Sequence, residues 1–328
     1  MVASTLSVKN PSAKIHAPNF WGFERFYWDL VKNIPEWMKR QGIELKYAYG
    51  CFPGMLWNGG RPQNPAKLHD LASTVEQEIL GYKKLGIELE LTCNNISLLP
   101  EDFQDPYCNE ILGIWEKYGL TVIVALPQLA QYIRKTYPKI RLKRSCVDWQ
   151  DNNPGFDYDL LVLDQFEGGN AKLLQSLDSE TRAKTELVAN VECIDHCPNF
   201  HKHHKVMSDL QRFGRTSEYF TCPLLKKIPL VMPIYHSAKA KHYIQPSSLS
   251  KLAKLGFQHF KLVSRCYTGQ AIDSVIKYTC LPAYKSDLVA RAYLCFGVPK
   301  RIGEPVDYNF LLGGEKIDDD TRKFLQIW

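Results

Sequence analysis

The chain has 328 residues, a formal net charge of +6, 45% hydrophobic residues and 23% charged residues. That length suits one large α/β domain, and the ordinary composition excludes a disordered or fibrous chain. No run of 18 apolar residues occurs, so no bilayer-spanning helix is expected, and residues 1–20 lack the apolar stretch of a secretory signal.

Residues 1–40 read as an N-terminal extension whose aromatic run, Phe20 to Trp28, packs over one end of the domain that follows. From there a phrase recurs. Lys39-Arg40-Gln41-Gly42 precedes an apolar stretch at 43–47, Lys83-Lys84-Leu85-Gly86 precedes 87–91, Glu116-Lys117-Tyr118-Gly119 precedes 120–124, and Ala253-Lys254-Leu255-Gly256 precedes 257–262. In each, a helix ends in a charged turn, glycine takes the left-handed cap, and a strand starts at once. Further strands are expected near 140–145, 159–164, 185–191 and either 230–234 or 242–245. Helices are expected at 127–137, 167–177, 198–211 and 247–255. Eight strand–helix alternations predict a (β/α)8 TIM-like barrel over residues 41–298, with 299–328 as a C-terminal tail. The runner-up is a doubly wound sheet, but no glycine-rich phosphate loop follows the first strand.

The strands alternate in polarity. Glu88 and Glu90 lie between Ile87, Leu89 and Leu91; Arg141 and Lys143 flank Leu142; Glu186 sits beside Leu187; His259 and Lys261 flank Phe260. Strands of an open parallel sheet are apolar on both faces, whereas barrel strands have one face against helices and one in the lumen. A charged lumen with acids paired against bases is therefore expected, because an unpaired charge there costs several kcal/mol.

Chemistry in such a barrel sits at the C-terminal strand ends. That rule selects the glycine-hinged loop Asn58-Gly59-Gly60-Arg61, then Asn94, Ser145-Cys146, Asp164, Asn190, Glu192, Lys261 and Arg265. Arg61, Lys261 and Arg265 suit an anionic substrate group, and Asn58, Asn94 and Asn190 suit its orientation. Glu192, Asp164 and Lys261 are the candidate catalytic groups.

Ten cysteines are scattered along the chain, which suits a reducing compartment and a cytoplasmic location. Cys193 and Cys197 stand with His201 and His204 at a strand exit, and Cys222 follows in Tyr219-Phe-Thr-Cys-Pro223. Three thiolates could hold a [4Fe-4S] cluster, and with a histidine they could equally hold tetrahedral zinc.

Two blocks resemble the peptidase U32-like family, also described as collagenase-like proteases. One is Glu186-Leu-Val-Ala-Asn190-Val-Glu192-Cys193 with Cys197-Pro198 and His204. The other is Leu255-Gly256-Phe-Gln-His-Phe-Lys261-Leu-Val-Ser-Arg265, and Asn58-Gly-Gly-Arg61 is similar to the family's early arginine loop. The resemblance implies a TIM-barrel-like catalytic domain. Through the family's hydroxylation-type members it also implies a cysteine-held [4Fe-4S] cluster, with Cys193, Cys197 and Cys222 matching the first three ligands. No fourth cysteine lies between Cys222 and Arg265, which permits a cluster with one iron open to substrate.

Three functions are expected in order. The first is an iron–sulfur redox or group-transfer enzyme for an anionic small molecule or RNA, served by an electron donor. The second is a metal-assisted peptidase or hydrolase, ranked lower because HExxH and GxSxG are absent from the sequence. The third is a non-catalytic subunit of a homo- or hetero-oligomer. Basic patches at 139–144 and 202–205 keep RNA in view, with a steep salt dependence as its mark.

Overall fold

The computed structural model describes residues 12–33, 42–60, 65–147, 156–191, 193–216, 242–263 and 268–279. Eight strands close into an all-parallel barrel in chain order. They are β1 (Ala13–Pro18), β2 (Ile43–Gly50), β3 (Glu88–Cys93), β4 (Thr121–Val124), β5 (Arg141–Arg144), β6 (Leu160–Val162), β7 (Thr185–Val188) and β8 (His259–Lys261). The helices between them are α1 (Glu24–Asn33), α2 (Leu71–Lys84), α3 (Pro106–Lys117), α4 (Pro127–Thr136), α5 (Ala171–Ser176), α6 (Ser179–Lys184), α7 (Phe200–Phe213), α8 (Leu249–Lys254) and α9 (Thr268–Thr279). This is a (β/α)8 TIM barrel. Among the described residues no helix is long and apolar enough to cross a membrane.

The recurring helix–glycine–strand phrase is built as its sequence reads. Gly42, Gly86, Gly119 and Gly256 take left-handed φ values of +74°, +74°, +60° and +106°. α3 shows the local logic at both ends. Asp105 accepts a hydrogen bond from the Cys108 N–H at its start, Pro106 fills a position needing no donor, and Lys117 ends it. The outward strand residues Ile15, Leu89, Leu91, Val122, Leu142, Leu187 and Phe260 pack with Val75, Ile79, Ile111, Trp115 and Ile133 of the helices in one core. Each such side chain contributes about 1.5–3 kcal/mol by leaving water.

Two expectations are corrected. Residues 13–18 are not part of an extension; they are the first barrel strand, paired to β2 on one side and β8 on the other. The strand proposed at 230–234 or 242–245 is not the seventh. β7 pairs directly with β8, Glu186 opposite His259, and no strand forms over 242–245, where Ile244 donates its N–H to the Ala189 carbonyl at 2.9 Å and accepts from the Tyr278 hydroxyl at 2.6 Å. Residues 230–234 and the tail 299–328 lie outside the described residues.

The aromatic run does cover the barrel. Phe20, Phe26 and Tyr27 are buried, Phe20 packs on Phe52 and Trp115, and the Tyr82 hydroxyl donates to the Phe20 carbonyl at 2.7 Å. Where α1 meets α2, Glu78 is pushed up to about 9, first by burial and then by its hydrogen bond with Glu24. It therefore folds as a carboxylic acid. Its folded value exceeds the unfolded one, so its contribution is complete below about 4.5 and drains away as the pH rises to about 9. Glu78→Gln should keep the hydrogen bond, remove this slope, and stabilise the protein at pH 8 by about 1–2 kcal/mol after solvent screening. Thermal melts from pH 5 to 9 read this out, and parallel curves for the two proteins would refute it.

Candidate functional site

The lumen holds a layer of ionisable side chains from alternate strands: His16 of β1, Glu90 of β3, Lys143 of β5 and Glu186 of β7, all buried. Layers of four from alternate strands are the packing rule of this barrel, but their usual occupants are branched apolar residues. Here Lys143 Nζ donates to Glu90 Oε1 at 2.6 Å and to Glu186 Oε2 at 2.5 Å. His16 Nδ1 lies 2.9 Å from Glu90 Oε2 and 3.0 Å from Glu186 Oε2, which assigns its proton to that nitrogen. His16 Nε2 then accepts from His259 Nδ1 at 2.9 Å. The His16 ring stacks on Tyr47 with centroids 4.2 Å apart. Below this layer Arg141 pairs with Glu88.

Burial lowers the pKa of His16 well below the imidazole range. Glu186 opposes that shift, and Lys143, His259 and Lys261 reinforce it. His259 is brought down to about 4, again chiefly by burial. Both imidazoles are neutral hydrogen-bonding links. Burial works against the charge of Lys143, but Glu186 and Glu90 outweigh it and raise its pKa. Burial likewise opposes ionisation of Glu186, and the groups around it, His16 first and then Lys143 and Lys261, prevail and lower its pKa.

Among the described residues, His16, Glu90 and Glu186 form the one set of three metal-ligand side chains whose donor atoms come together, within 4.8 Å. The cation among them is the protein's own, since Lys143 Nζ already takes an oxygen from each carboxylate. The set is a closed ion-pair network rather than a metal site.

Above the layer, at the C-terminal strand ends, opens a cavity of about 300 Å³. Asn58, Asn94, Ser145, Cys146, Gln165 and Lys261 give it its polar wall, and Trp21 and Phe23 close one side. Asn94 is buried, and its Oδ1 has no hydrogen-bond partner among the described residues. Lys261 joins cavity to lumen. Its Nζ lies 3.8 Å from Glu186 Oε1 and 4.0 Å from the centre of the Tyr49 ring. Burial lowers its pKa, Glu186 opposes the shift, and Lys143 adds to it.

The structure thus brings Asn58, Asn94, Ser145, Cys146 and Lys261 of the expected residues to one cavity. It uses two others elsewhere. Asn190 donates to the Val263 carbonyl at 2.8 Å and to Ser274 Oγ at 2.9 Å, and accepts from the Val263 N–H at 2.6 Å. It ties the exits of β7 and β8 together and does not line the cavity. Asp164 accepts from the Phe166 N–H at 2.9 Å, closing a local turn, while its neighbour Gln165 reaches the cavity. Glu192, Arg61, Arg265 and Cys222 lie outside the described residues.

Cys193 and Cys197 are half-buried on the loop after β7. Cys193 packs with Cys146 against Val162, Val188 and Val191. Among the described residues neither thiol joins a third ligand-type side chain. The loop instead centres on Asp195, whose Oδ1 lies 2.8 Å from His196 Nδ1 and 3.2 Å from His242 Nδ1, with Phe166 stacked on His196.

Sequence reasoning missed His16, Tyr47 and His242. A signal existed for His16: in Ala13-Lys-Ile-His-Ala-Pro18 polar and apolar residues alternate as in the other strands, but over too short a run to stand out.

No family model matches the chain, and no curated protein matches it. Among solved structures the chain is similar to the U32 peptidase Mk0906, with a TM-score of 0.45 and 12% identity, over 77% of this chain and 93% of that one. The barrel assignment rests on the strand ladder itself.

Proposed function

We propose that the chain is an enzyme whose active site is the cavity at the barrel mouth, and that its substrate is a small molecule bearing an anionic group. The observation that carries this reading is Lys261, a buried cation that opens onto an otherwise neutral, hydrogen-bonding wall. Charge on a ligand entering a low-dielectric site is drawn to such a group. Asn94 Oδ1 offers an acceptor for a ligand hydroxyl or amide, and Asn58 lines the cavity from the loop packed against the β3 exit. The volume is at the small end of ligand cavities, roughly 300–1,000 Å³, which favours a metabolite-sized substrate over a polypeptide or a nucleotide chain.

Titration with pyruvate, lactate, succinate and a simple phosphate monoester tests this. At least one should raise the melting temperature, and Lys261→Met should weaken its binding by about tenfold or more, about 1.4 kcal/mol. Binding of none, or equal binding by Lys261→Met, would overturn the reading.

A second reading keeps an iron–sulfur cluster held by Cys193, Cys197 and Cys222. It is favoured by one contact: Cys193 shares an apolar cluster with Cys146, which lines the cavity. A cluster bound there would supply one-electron chemistry beside the substrate. Anaerobically purified protein should then contain iron and acid-labile sulfide, and Cys193→Ser with Cys197→Ser should lose both. Metal-free wild-type protein with unchanged ligand binding would exclude it.

A further inference from the structure

The barrel contains two buried lysines in opposite circumstances. Lys143 is fully committed, with two carboxylate oxygens at hydrogen-bond distance. Lys261 Nζ makes no hydrogen bond among the described residues. Its nearest carboxylate oxygen is 3.8 Å away, and an aromatic face lies 4.0 Å off. An ammonium group needs its three donors satisfied, and burying one without acceptors is costly. A neutral amine in the same place has little to lose. Among the described residues the charged or titratable groups facing it are Glu186, Lys143, Glu90 and His16 in the layer below, Tyr49 beside it, and Cys146 across the cavity.

We infer that Lys261 is a nucleophile that captures a small aldehyde or ketone, most naturally a 2-oxo acid, as an imine in the mouth cavity. This rests on the cavity being the active site and names the substrate class for it. The step balances without a co-reactant. The Lys261 ammonium first gives up a proton, the amine nitrogen bonds to the carbonyl carbon to give a carbinolamine, and the carbinolamine hydroxyl takes that proton back and leaves as water. The product is a protonated imine, with a carbon–nitrogen double bond between the former carbonyl carbon and the Lys261 nitrogen. That cation stands where the ammonium would, so the charge facing Glu186 is preserved. Glu186 Oε1, which has no hydrogen-bond partner among the described residues, is placed to favour the cationic imine over the free amine. Burial, and after it the neighbouring Lys143 ammonium, lower the proton affinity of Lys261, so it gives up a proton more readily than an exposed lysine.

The test is reductive trapping of the full chain with sodium cyanoborohydride and pyruvate, glyoxylate or glyceraldehyde. Peptide mass spectrometry should place one reduced adduct at Lys261, formed at pH 7 about tenfold or more faster than at exposed lysines, because the cavity holds the carbonyl beside the amine. Lys261→Arg should abolish it. No adduct at Lys261 with any of the three probes, or labelling spread over surface lysines at equal rates, would overturn the inference. Lactate, which has no carbonyl, separates this from the broader reading. If lactate or pyruvate stabilises the wild type but not Lys261→Met, and nothing is trapped, the cavity stands as an anion site and the imine falls. If nothing binds and nothing is trapped, both fall.

Discussion

Lys143→Met should destabilise the protein by about 3–5 kcal/mol at pH 8, the usual cost of stranding a buried charge, and lower the melting temperature by about 5–10 °C. The substitution removes the ammonium that donates to both Glu90 and Glu186 and leaves two carboxylates facing each other across His16. Methionine fills the space, so the loss is electrostatic rather than a cavity. The pH dependence separates the two. With Lys143 gone, two carboxylates sharing one site cannot both ionise, and one must fold protonated, with its folded pKa raised above its unfolded value. The stability tied to that proton is complete below the unfolded value and is lost as the pH climbs. The variant should therefore be nearer to wild type at pH 5 than at pH 8. Adding Glu90→Gln and Glu186→Gln should recover most of the loss, since replacing a whole buried ion network is far cheaper than breaking one. A deficit that is the same at pH 5 and pH 8, or that the glutamines deepen, would show that the layer is held by packing alone.

That network explains how far the sequence could be read. Glu90, Lys143, Glu186, His259 and Lys261 each interrupt an apolar strand at period two, and that pattern is local. It gives the barrel, the charged lumen and the pairing of acids with bases without any knowledge of partners. The helix ends are equally local, because a left-handed glycine followed by a strand is written in four consecutive residues. What fails is what depends on distance. β1 is six residues long with a proline at its end, and its membership is decided by closure, by Lys14 lying opposite His259 in β8. The alternation within 13–18 is too short to announce that. The barrel has eight strands as expected, yet one of them is a different segment.

The site divides the same way. Asn58, Asn94 and Lys261 were legible because each stands at a strand end or on the loop that leaves one, and strand ends converge in this fold. Asn190 stands at one too, and was misjudged because its partners, Val263 and Ser274, are 73 and 84 residues away. A side chain that binds substrate and one that sews two strand exits together have the same address in sequence. The thiol loop shows the limit more sharply. Cys193 and Cys197 read as ligands by spacing, while their surroundings include an apolar cluster and a His–Asp–His contact that spacing cannot encode.

Gly59→Ala should cost about 3 kcal/mol and abolish ligand binding in the cavity, although the added group is a single methyl. The sequence suggests a hinge at Gly59-Gly60. The structure gives Gly59 a different task. A Cβ there would lie 2.4 Å from Asn95 Cα, 2.7 Å from the Asn94 carbonyl oxygen and 2.7 Å from the Asn95 nitrogen, all backbone atoms. The loop cannot step back to relieve this. The Asn95 N–H donates to the Trp57 carbonyl at 3.0 Å, Asn95 Nδ2 donates to the Leu56 carbonyl at 2.8 Å, and the buried Trp57 indole donates to the Asp102 carbonyl at 2.8 Å. Relief must come from parting the loop and the β3 exit, and those two segments carry Asn58 and Asn94 into the cavity wall. Gly60 provides the control: a Cβ there meets nothing within 4 Å, so Gly60→Ala should change stability by less than about 0.5 kcal/mol. Chemical unfolding of both variants, with ligand titration of Gly59→Ala, decides the matter. Equal and small effects at the two glycines would mean that the loop is a hinge after all, free to move away from Asn95.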